Sequence, residues 1–443
     1  MYLIHSPLIK NINKEQKVLY LGDWCIQDKD LISNKNTYEI IPHPFSTVKK
    51  KNDAIKYCKI FYDFCLPILS KALNDVHGVK ENTKYWKIVF GSWLIRYIEI
   101  FYERYSCISN AFELQPAINT SVLSNDSFQI PKDTMDFISK SKDHHYNLQL
   151  YSVIINELNI PVDDCFSLDV ESRNNKENFK SYLKKFTYNK FHSFTNKIGS
   201  ISAKNRIWVS DFGIYGKELI KFVALSQFFF WPMYFNNHKN KLAVNNNDVR
   251  SKISKLHISE SNDDFTRIFF QSLSSNMPMI FLEGYKKLKE KIIRQYPKAP
   301  KAIISTNQWF FNDSFKILAA EMQKYGTKLF IVQHGGVEGI GRYESEENHL
   351  VEICDKYFMW GKNKINNSQV TSLPSPKLSS YKESNYINKS QYILFLTTSF
   401  PKYTYVLHSS PIAGDMRNYE QGQYQFIKSL NKSIRKLILL RTS

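Results

Sequence analysis

The residues best placed to do chemistry are Gln333-His334-Gly335-Gly336. They follow the apolar run Leu329-Phe330-Ile331-Val332, so the histidine falls at the carboxyl end of an expected strand. Histidine titrates near neutral pH and can serve as acid, base or donor to a departing phosphate. Two glycines in succession let backbone N–H groups approach a phosphate or carboxylate closely. Gly339 and Gly341 extend the loop, and Arg342 adds a fixed cation. A lone histidine is more often structural than reactive; this one's place before two glycines favours function. The loop is not a P-loop, because G-x-x-x-x-G-K-[ST] does not occur.

Further candidates stand at other expected strand ends. Asp23, after Gly22 and before Trp24, is either a turn-making residue or a carboxylate that holds a hydroxyl or acts as base or nucleophile. Ser305-Thr306-Asn307 ends one strand and Thr397-Thr398-Ser399 another; both offer hydroxyls to phosphate oxygens. Arg96 and Glu99, three apart on one helix, either pair with each other or leave Arg96 to receive an anion. Glu344, Glu346, Glu347, His349 and Glu352 crowd one segment. A metal reading would join His334, His349 and a carboxylate, but no spacing fixes their geometry, and a carboxylate-rich helix start explains the acids. No Asp-x-Asp stands at the end of an expected strand, so no metal ligand is assigned and metal-independent chemistry is expected. The absence of a G-x-S-x-G elbow and of a G-x-G-x-x-G fingerprint argues against hydrolase and dehydrogenase readings.

The elements that must position these groups are legible in outline. Ala302-Ile303-Ile304-Ser305 and Lys328–Val332 are short strands around a helix capped by Asn312, with Phe315, Leu318, Ala319 and Met322 on one face and Gly326 at its end. Two strands joined by one helix run parallel, so Ser305-Thr306-Asn307 and Gln333–Gly336 emerge at one sheet edge. Lys17–Leu21 and Arg206–Asp211 are further strands; Phe228–Pro232 is another. A helix from about Asn52 is expected to kink or divide at Pro67 and stop at Gly78. The next, from Thr83, is apolar nearly all round and must be buried. Asp133 to Leu158 reads as helical, and Asn236 to Ile258 as polar loop. Gln369 to Ser390 reads as a linker, followed by a strand, a helix from about Asn418 to Arg435, and a strand at Leu437–Leu440.

The bulk numbers bound the reading. At 443 residues and 43% hydrophobic, the chain supports more than one core. The richest apolar stretch, Ile88 to Phe101, is interrupted by Arg96 and Glu99, so no membrane span is expected. Six scattered cysteines without C-x-x-C spacing fit a reducing cytoplasm, with Cys58 and Cys65 as core residues. The net charge of +19 calls for an anionic partner. Its lysines are dispersed, and the abundance of Lys, Asn and Ile reflects general composition, so a nucleic-acid role is not expected.

Several segments together resemble one family. They are Leu21-Gly22-Asp23-Trp24-Cys25, Tyr85-Trp86 through Tyr97, Ser305-Thr306-Asn307 with Phe315 and Ala319, and Gln333–Gly336 with Gly339-Ile340-Gly341. Asp355 through Trp360-Gly361 and Leu373-Pro374-Ser375-Pro376-Lys377 complete the set, in order along nearly the whole chain. The sequence resembles transferases found among bacterial surface-carbohydrate (O-antigen-type) genes. The resemblance implies an α/β, GT-B-like fold with Rossmann-type parallel sheets. Its parts would be a large helix-rich N-terminal domain (1–368), a linker (369–390) and a partial C-terminal domain (391–443). Family members continue past the point matching Leu440–Ser443, so the chain is expected to be C-terminally truncated.

The implied activity is transfer of a sugar from a nucleotide-activated donor to a lipid-linked or growing surface glycan. In related polymerases that move glycerol phosphate from CDP-glycerol, a histidine so placed is proposed to serve the transfer. That carries over His334 alone, as acid/base or phosphate-polarising group. Beside it, the residue reading places Gln333, Gly335 and Gly336 at the substrate, Arg96 and Arg342 on anionic groups, and Asp23 as candidate acceptor base. The donor is a substrate and no separate cofactor is expected. The expected place is the cytoplasm, at the inner-membrane surface without insertion. A polyol-phosphate transferase and a non-catalytic binding fragment are the alternatives.

Overall fold

The computed structural model describes residues 1–10, 17–26, 38–168, 179–235, 246–256, 263–361, 367–378, 391–399, 401–408, 412 and 415–441. The fold is α/β, with parallel sheets and many helices. In the first half, β1 (Tyr2–Ile4), β2 (Val18–Tyr20) and β3 (Tyr38–Ile40) pair in parallel. So do β4 (Thr120–Leu123) and β5 (Val162–Phe166). A parallel bridge between Tyr2 and Asn119 joins the two groups, with Leu3 N–H donating to the Asn119 carbonyl at 2.9 Å. The resulting spatial order is β3-β2-β1-β4-β5. Only three residues long, β1 carries no alternation that would reveal it, yet it is the centre of this layer.

The second half builds a six-stranded parallel sheet from β6 (Ile207–Ser210), β7 (Phe230–Pro232), β8 (Ala302–Ser305), β9 (Lys328–Val332), β10 (Lys356–Trp360) and β11 (Val370–Leu373). The spatial order is β11-β10-β9-β8-β6-β7. The chain therefore leaves β6 for one neighbour and returns to the other side for β8, which opens a crevice between the carboxyl ends of β6 and β8. β8 is buried at all four positions, as a strand covered on both faces requires. β11 falls inside the stretch that composition marks as linker; as an edge strand it tolerates a polar sequence.

Two long helices occupy the interior. α1 (Val48–His77) starts at Thr47, which caps the Lys50 N–H, and ends on Gly78 in the left-handed region (φ 61°). It passes through Pro67 without dividing. Pro67 and Asp63 both face solvent, so the carbonyl freed by the missing N–H can be hydrated, while Leu66, Leu69, Ser70 and Leu73 stay packed. α2 (Thr83–Leu114) is buried over most of its length, including Trp86, Trp93 and Tyr97. The helical stretch after Asp133 breaks into Thr134–Lys140 and His144–Glu157, the second capped by Asp143. Helix Asn247–Ser254 lies within the stretch expected to be loop, started by Asn246. Among the described residues no helix is long and apolar enough to cross a membrane. All six cysteines are free, and Cys58 and Cys65 are buried as expected.

Near the carboxyl end, β12 (Ile393–Leu396) and β13 (Ile438–Arg441) pair in parallel around helix Asp415–Ser429. Between them, residues 401–408 return to the helical core. Tyr403, Thr404, Val406 and Leu407 are buried there. Arg104 of α2 donates to the Thr404 carbonyl at 2.7 Å, and Leu407 N–H donates to Glu99 Oε2 at 2.7 Å. His408 Nδ1 sits 2.9 Å from Glu99 Oε1, and its Nε2 lies 2.9 Å from Glu344 Oε1. The latter contact is an ion pair whose angle falls outside hydrogen-bond geometry. Burial alone would lower the pKa of His408, but the two carboxylates outweigh it and push it up to about 10.

An imidazolium held this way adds stability in full below its ordinary pKa of 6.5 and loses it as pH rises through about 10. Urea unfolding at pH 7 and pH 10 is expected to show wild type losing stability between the two. Glu99→Ala strands the His408 charge and the Leu407 N–H. That variant should lose about 3–5 kcal/mol at pH 7 and show a smaller further loss at pH 10.

Candidate active site

The sheet edge at the β6–β8 crevice collects Asp211, Ser305, Thr306, Asn307 and His334. Each lies within two residues of the carboxyl end of β6, β8 or β9. Thr306 closes the crevice floor: its N–H donates to the Asp211 carbonyl at 3.2 Å, and its hydroxyl donates to the same oxygen. Asp211 adopts φ 50°, a region that aspartate tolerates better than most residues, and its Oδ1 accepts from the Tyr215 hydroxyl at 2.9 Å. Ser305 is buried, and its hydroxyl has no hydrogen-bond partner among the described residues.

His334 is held by Glu338. Its Nδ1 lies 2.8 Å from Glu338 Oε1, and its backbone N–H donates to Glu338 Oε2 at 2.9 Å. Glu338 is buried and also accepts from the Tyr357 hydroxyl at 3.4 Å. With Nδ1 facing a carboxylate, Nδ1 carries the proton and Nε2 is the exchanging nitrogen. Nε2 has no hydrogen-bond partner among the described residues, and the side chain is 42% exposed. The hydrogen bond to Glu338 raises the pKa; burial opposes this, and the charges of Glu338, Glu346 and Asp211 add to it. The Phe310 ring lies 5.7 Å from the imidazole.

Gln333, immediately before, turns inward. Its Oε1 accepts from Trp360 N–H at 2.6 Å and its Nε2 donates to the Glu338 carbonyl at 2.6 Å. It thus ties the loop to β10 and fixes where His334 leaves the sheet. Gly335 takes φ 121° with the Trp360 ring beneath it, where a Cβ would lie 3.5 Å from the ring. Gly336 takes φ 70° with open space on its side-chain face. Both conformations disfavour any other residue.

The other expected residues scatter. Arg96 is buried, paired with Glu346 of helix Ser345–Ile353, and its guanidinium lies 5.1 Å from the Phe311 ring and 6.0 Å from that of Phe310. It does not pair with Glu99, whose carboxylate belongs to Leu407 and His408. Arg96 therefore backs the aromatic pair beside His334. Arg342 is exposed, 5.5 Å from the centre of the Tyr343 ring. Asp23 stands at the end of β2 in the first sheet, in a short turn whose Trp24 packs against His43 and Tyr403. Thr397, Thr398 and Ser399 end β12 in the small C-terminal sheet. There Thr397 N–H donates to the Arg441 carbonyl at 3.1 Å and Thr398 N–H to the Tyr419 hydroxyl at 3.1 Å.

His349, on helix Ser345–Ile353, is buried against α1, 3.3 Å from the Tyr62 hydroxyl, and burial lowers its pKa strongly. Two groups among the described residues bring ligand atoms close enough for an ion: His43–Glu103–Cys107 and Glu344–Glu346–His408. Each is already compensated, by Arg104 on Glu103 in the first and by Arg96 on Glu346 in the second. Neither contains His334.

Glu338 and Asp211 went unmarked in the sequence. Glu338 sits four residues after the histidine in a loop, where no periodicity shows that it turns back. Asp211 follows a strand as Asp23 does, and that shared position was its one available signal.

A family model described as LIC12162 family transferase matches residues 1–442. The chain belongs to this family. No curated protein and no solved structure matches it. As a LIC12162 family transferase, the chain carries its carboxylate-held histidine and paired glycines at a sheet switch point. Replacing Glu338 by Gln removes the charge at nearly unchanged side-chain size. The His334 titration midpoint, followed by NMR, should then fall toward the ordinary histidine value; an unchanged midpoint would show that Glu338 does not set it.

Proposed function

We propose that the chain transfers a sugar from a nucleotide-activated donor to a precursor of a bacterial surface polysaccharide, with a GT-B-like pairing of its two parallel-sheet units. The observation that carries this reading is the Glu338–His334 pair at the β6–β8 crevice. A raised pKa favours the imidazolium near neutral pH, which suits charge stabilisation on a departing diphosphate better than proton removal from an acceptor. The open face of Gly336 and the neighbouring Asn307 offer further donors to phosphate oxygens. Asp211 shares this edge and is the nearer choice for acceptor base; Asp23, in the other sheet, would serve only across a cleft between the two. The acceptor is a lipid-linked or growing glycan, met in the cytoplasm at the inner membrane. The leaving-group chemistry needs no nucleic acid and no cofactor besides the donor.

A thermal-shift screen of nucleotides and sugar nucleotides is expected to find at least one that raises Tm in wild type. With that donor, His334→Ala should retain binding and lose about 100- to 10,000-fold in kcat. If no nucleotide stabilises the wild type, the reading fails; full turnover in His334→Ala removes the histidine from it.

The pH profile has a defined sign. An essential imidazolium is lost as pH rises through its raised pKa, so kcat should fall on the alkaline side. Glu338→Gln should move that fall to lower pH. A polyol-phosphate donor would leave a phosphodiester in place of a glycosidic bond, and product mass distinguishes the two.

A further inference from the structure

The edge of the six-stranded sheet opposite the candidate site exposes a group of large apolar side chains. It is formed by the segments that enter β6, β7, β8 and β9. Ile201, Leu225, Phe228 and Tyr325 are 63%, 75%, 55% and 74% exposed there, with Phe229 beside them. Cations surround these tips. Lys298 Nζ donates to the Ile201 carbonyl at 3.2 Å, and Arg206 donates to the Phe228 carbonyl at 3.1 Å. Lys301 Nζ lies 5.4 Å from the centre of the Phe229 ring. Lys204, Lys298 and Lys301 line one open groove, and none of them has a carboxylate partner among the described residues. Glu321, which also lines it, is already paired with Lys289 and Lys324.

The backbone holds the aromatic tips outward at a cost. Helix Gly216–Leu225 ends in a turn where Gln227 and Phe228 take φ 52° and 61°. Helix ends commonly use glycine in this region, and a bulky aromatic there is a conformational outlier. The turn is nonetheless fully bonded: Phe228 N–H donates to the Val223 carbonyl at 3.0 Å, and Phe229 N–H to that of Ser226 at 3.0 Å. Packing accounts for little of the arrangement: the Phe228 ring meets that of Trp231 at 6.4 Å, yet more than half of the residue stays in solvent.

Exposed aromatic and aliphatic tips within a collar of unpaired cations match a membrane interface that carries anionic lipid. We propose that this edge is a docking surface for an anionic bilayer, with Phe228 and Phe229 entering the headgroup region and Lys204, Arg206, Lys298 and Lys301 meeting lipid phosphates. The docked chain would present the β6–β8 crevice away from the bilayer. The surface stands on its own observations and does not depend on the transferase reading.

Co-sedimentation with phosphatidylcholine vesicles, with and without phosphatidylglycerol, tests it on the full chain. Wild type should pellet with the anionic vesicles and not with the neutral ones, and added salt should release it. Lys298→Glu/Lys301→Glu should weaken anionic binding by about tenfold or more. Phe228→Gly/Phe229→Ser should lose it while melting no lower than wild type, since glycine relieves the turn. Absence of wild-type binding at low salt, or equal binding by both variants, overturns the proposal. So does a wild-type dimer in sedimentation velocity that Phe228→Gly/Phe229→Ser dissolves, which would assign the patch to a second copy of the chain.

Discussion

The fold depends on what α2 demands of its surroundings. A helix buried over most of 32 residues must find partners for every charge it carries, because an unpaired ion away from water is far costlier than a paired one. It carries Arg96, Glu99, Glu103 and Arg104 in its buried stretch. Their partners come from four different parts of the chain. Glu103 takes His43, from the segment after β3, at 2.9 Å; Arg104 takes Asn147 at 2.9 Å and the Thr404 carbonyl at 2.7 Å. Glu99 takes Leu407 and His408, and Arg96 takes Glu346. Apolar burial around α2 is indifferent to register, whereas these pairs are not. They set which segments touch the helix and at which turn.

The same demand reaches the candidate site. Glu346 is fixed by Arg96 at the start of helix Ser345–Ile353, and its charge contributes to the raised pKa of His334. Arg96 also lies close to Phe310 and Phe311, and Phe310 borders the imidazole. The buried salt bridge and the exposed histidine are therefore one electrostatic unit joined through an aromatic wall. Glu338 remains the larger influence, being in direct contact. Yet its own position rests on Gln333, whose two side-chain bonds stitch the loop to β10. The glutamine of the Gln-His-Gly-Gly run thus serves the histidine's placement, while the imidazole and the open face of Gly336 stay accessible.

Elements with strong local signals were readable before the structure: the strand at Ala302–Ser305, the Asn312 cap, the strand at Lys328–Val332 and the all-round apolar α2. Each is set by periodicity or a cap within a few residues. What escaped was decided at long range. β1 is three residues and becomes a strand only because β2 and Asn119 flank it. Pro67 fails to divide α1 because the freed carbonyl lies on the solvent side, where water can reach it, and packing holds both sides. The return of residues 401–408 to the core is specified by Glu99 and Arg104, some 300 positions earlier. Likewise the site's histidine and glycines were visible, but Glu338 and Asp211 were not. Their roles come from a loop reversal and from the strand order, which no window of sequence displays.

The six-stranded sheet shows why its two edges differ in kind. At the carboxyl edge β6, β8 and β9 run out into polar residues: Ser210-Asp211, Ser305-Thr306 and Gln333-His334. Polar side chains and glycine N–H groups there face a crevice that the change of strand order keeps open. At the amino edge the entering segments carry Ile201, Phe228, Phe229 and Tyr325, and no crossover opens a gap between them. In a parallel sheet packed between helices, the two ends of the strands lie outside the helical cover. Residues at them are released from packing duty and can answer to ligands. Polar groups at one edge and apolar tips among cations at the other are thus not accounted for by folding alone. The strained turn at Gln227-Phe228 sharpens the point, since a sequence tuned only for stability would place glycine there.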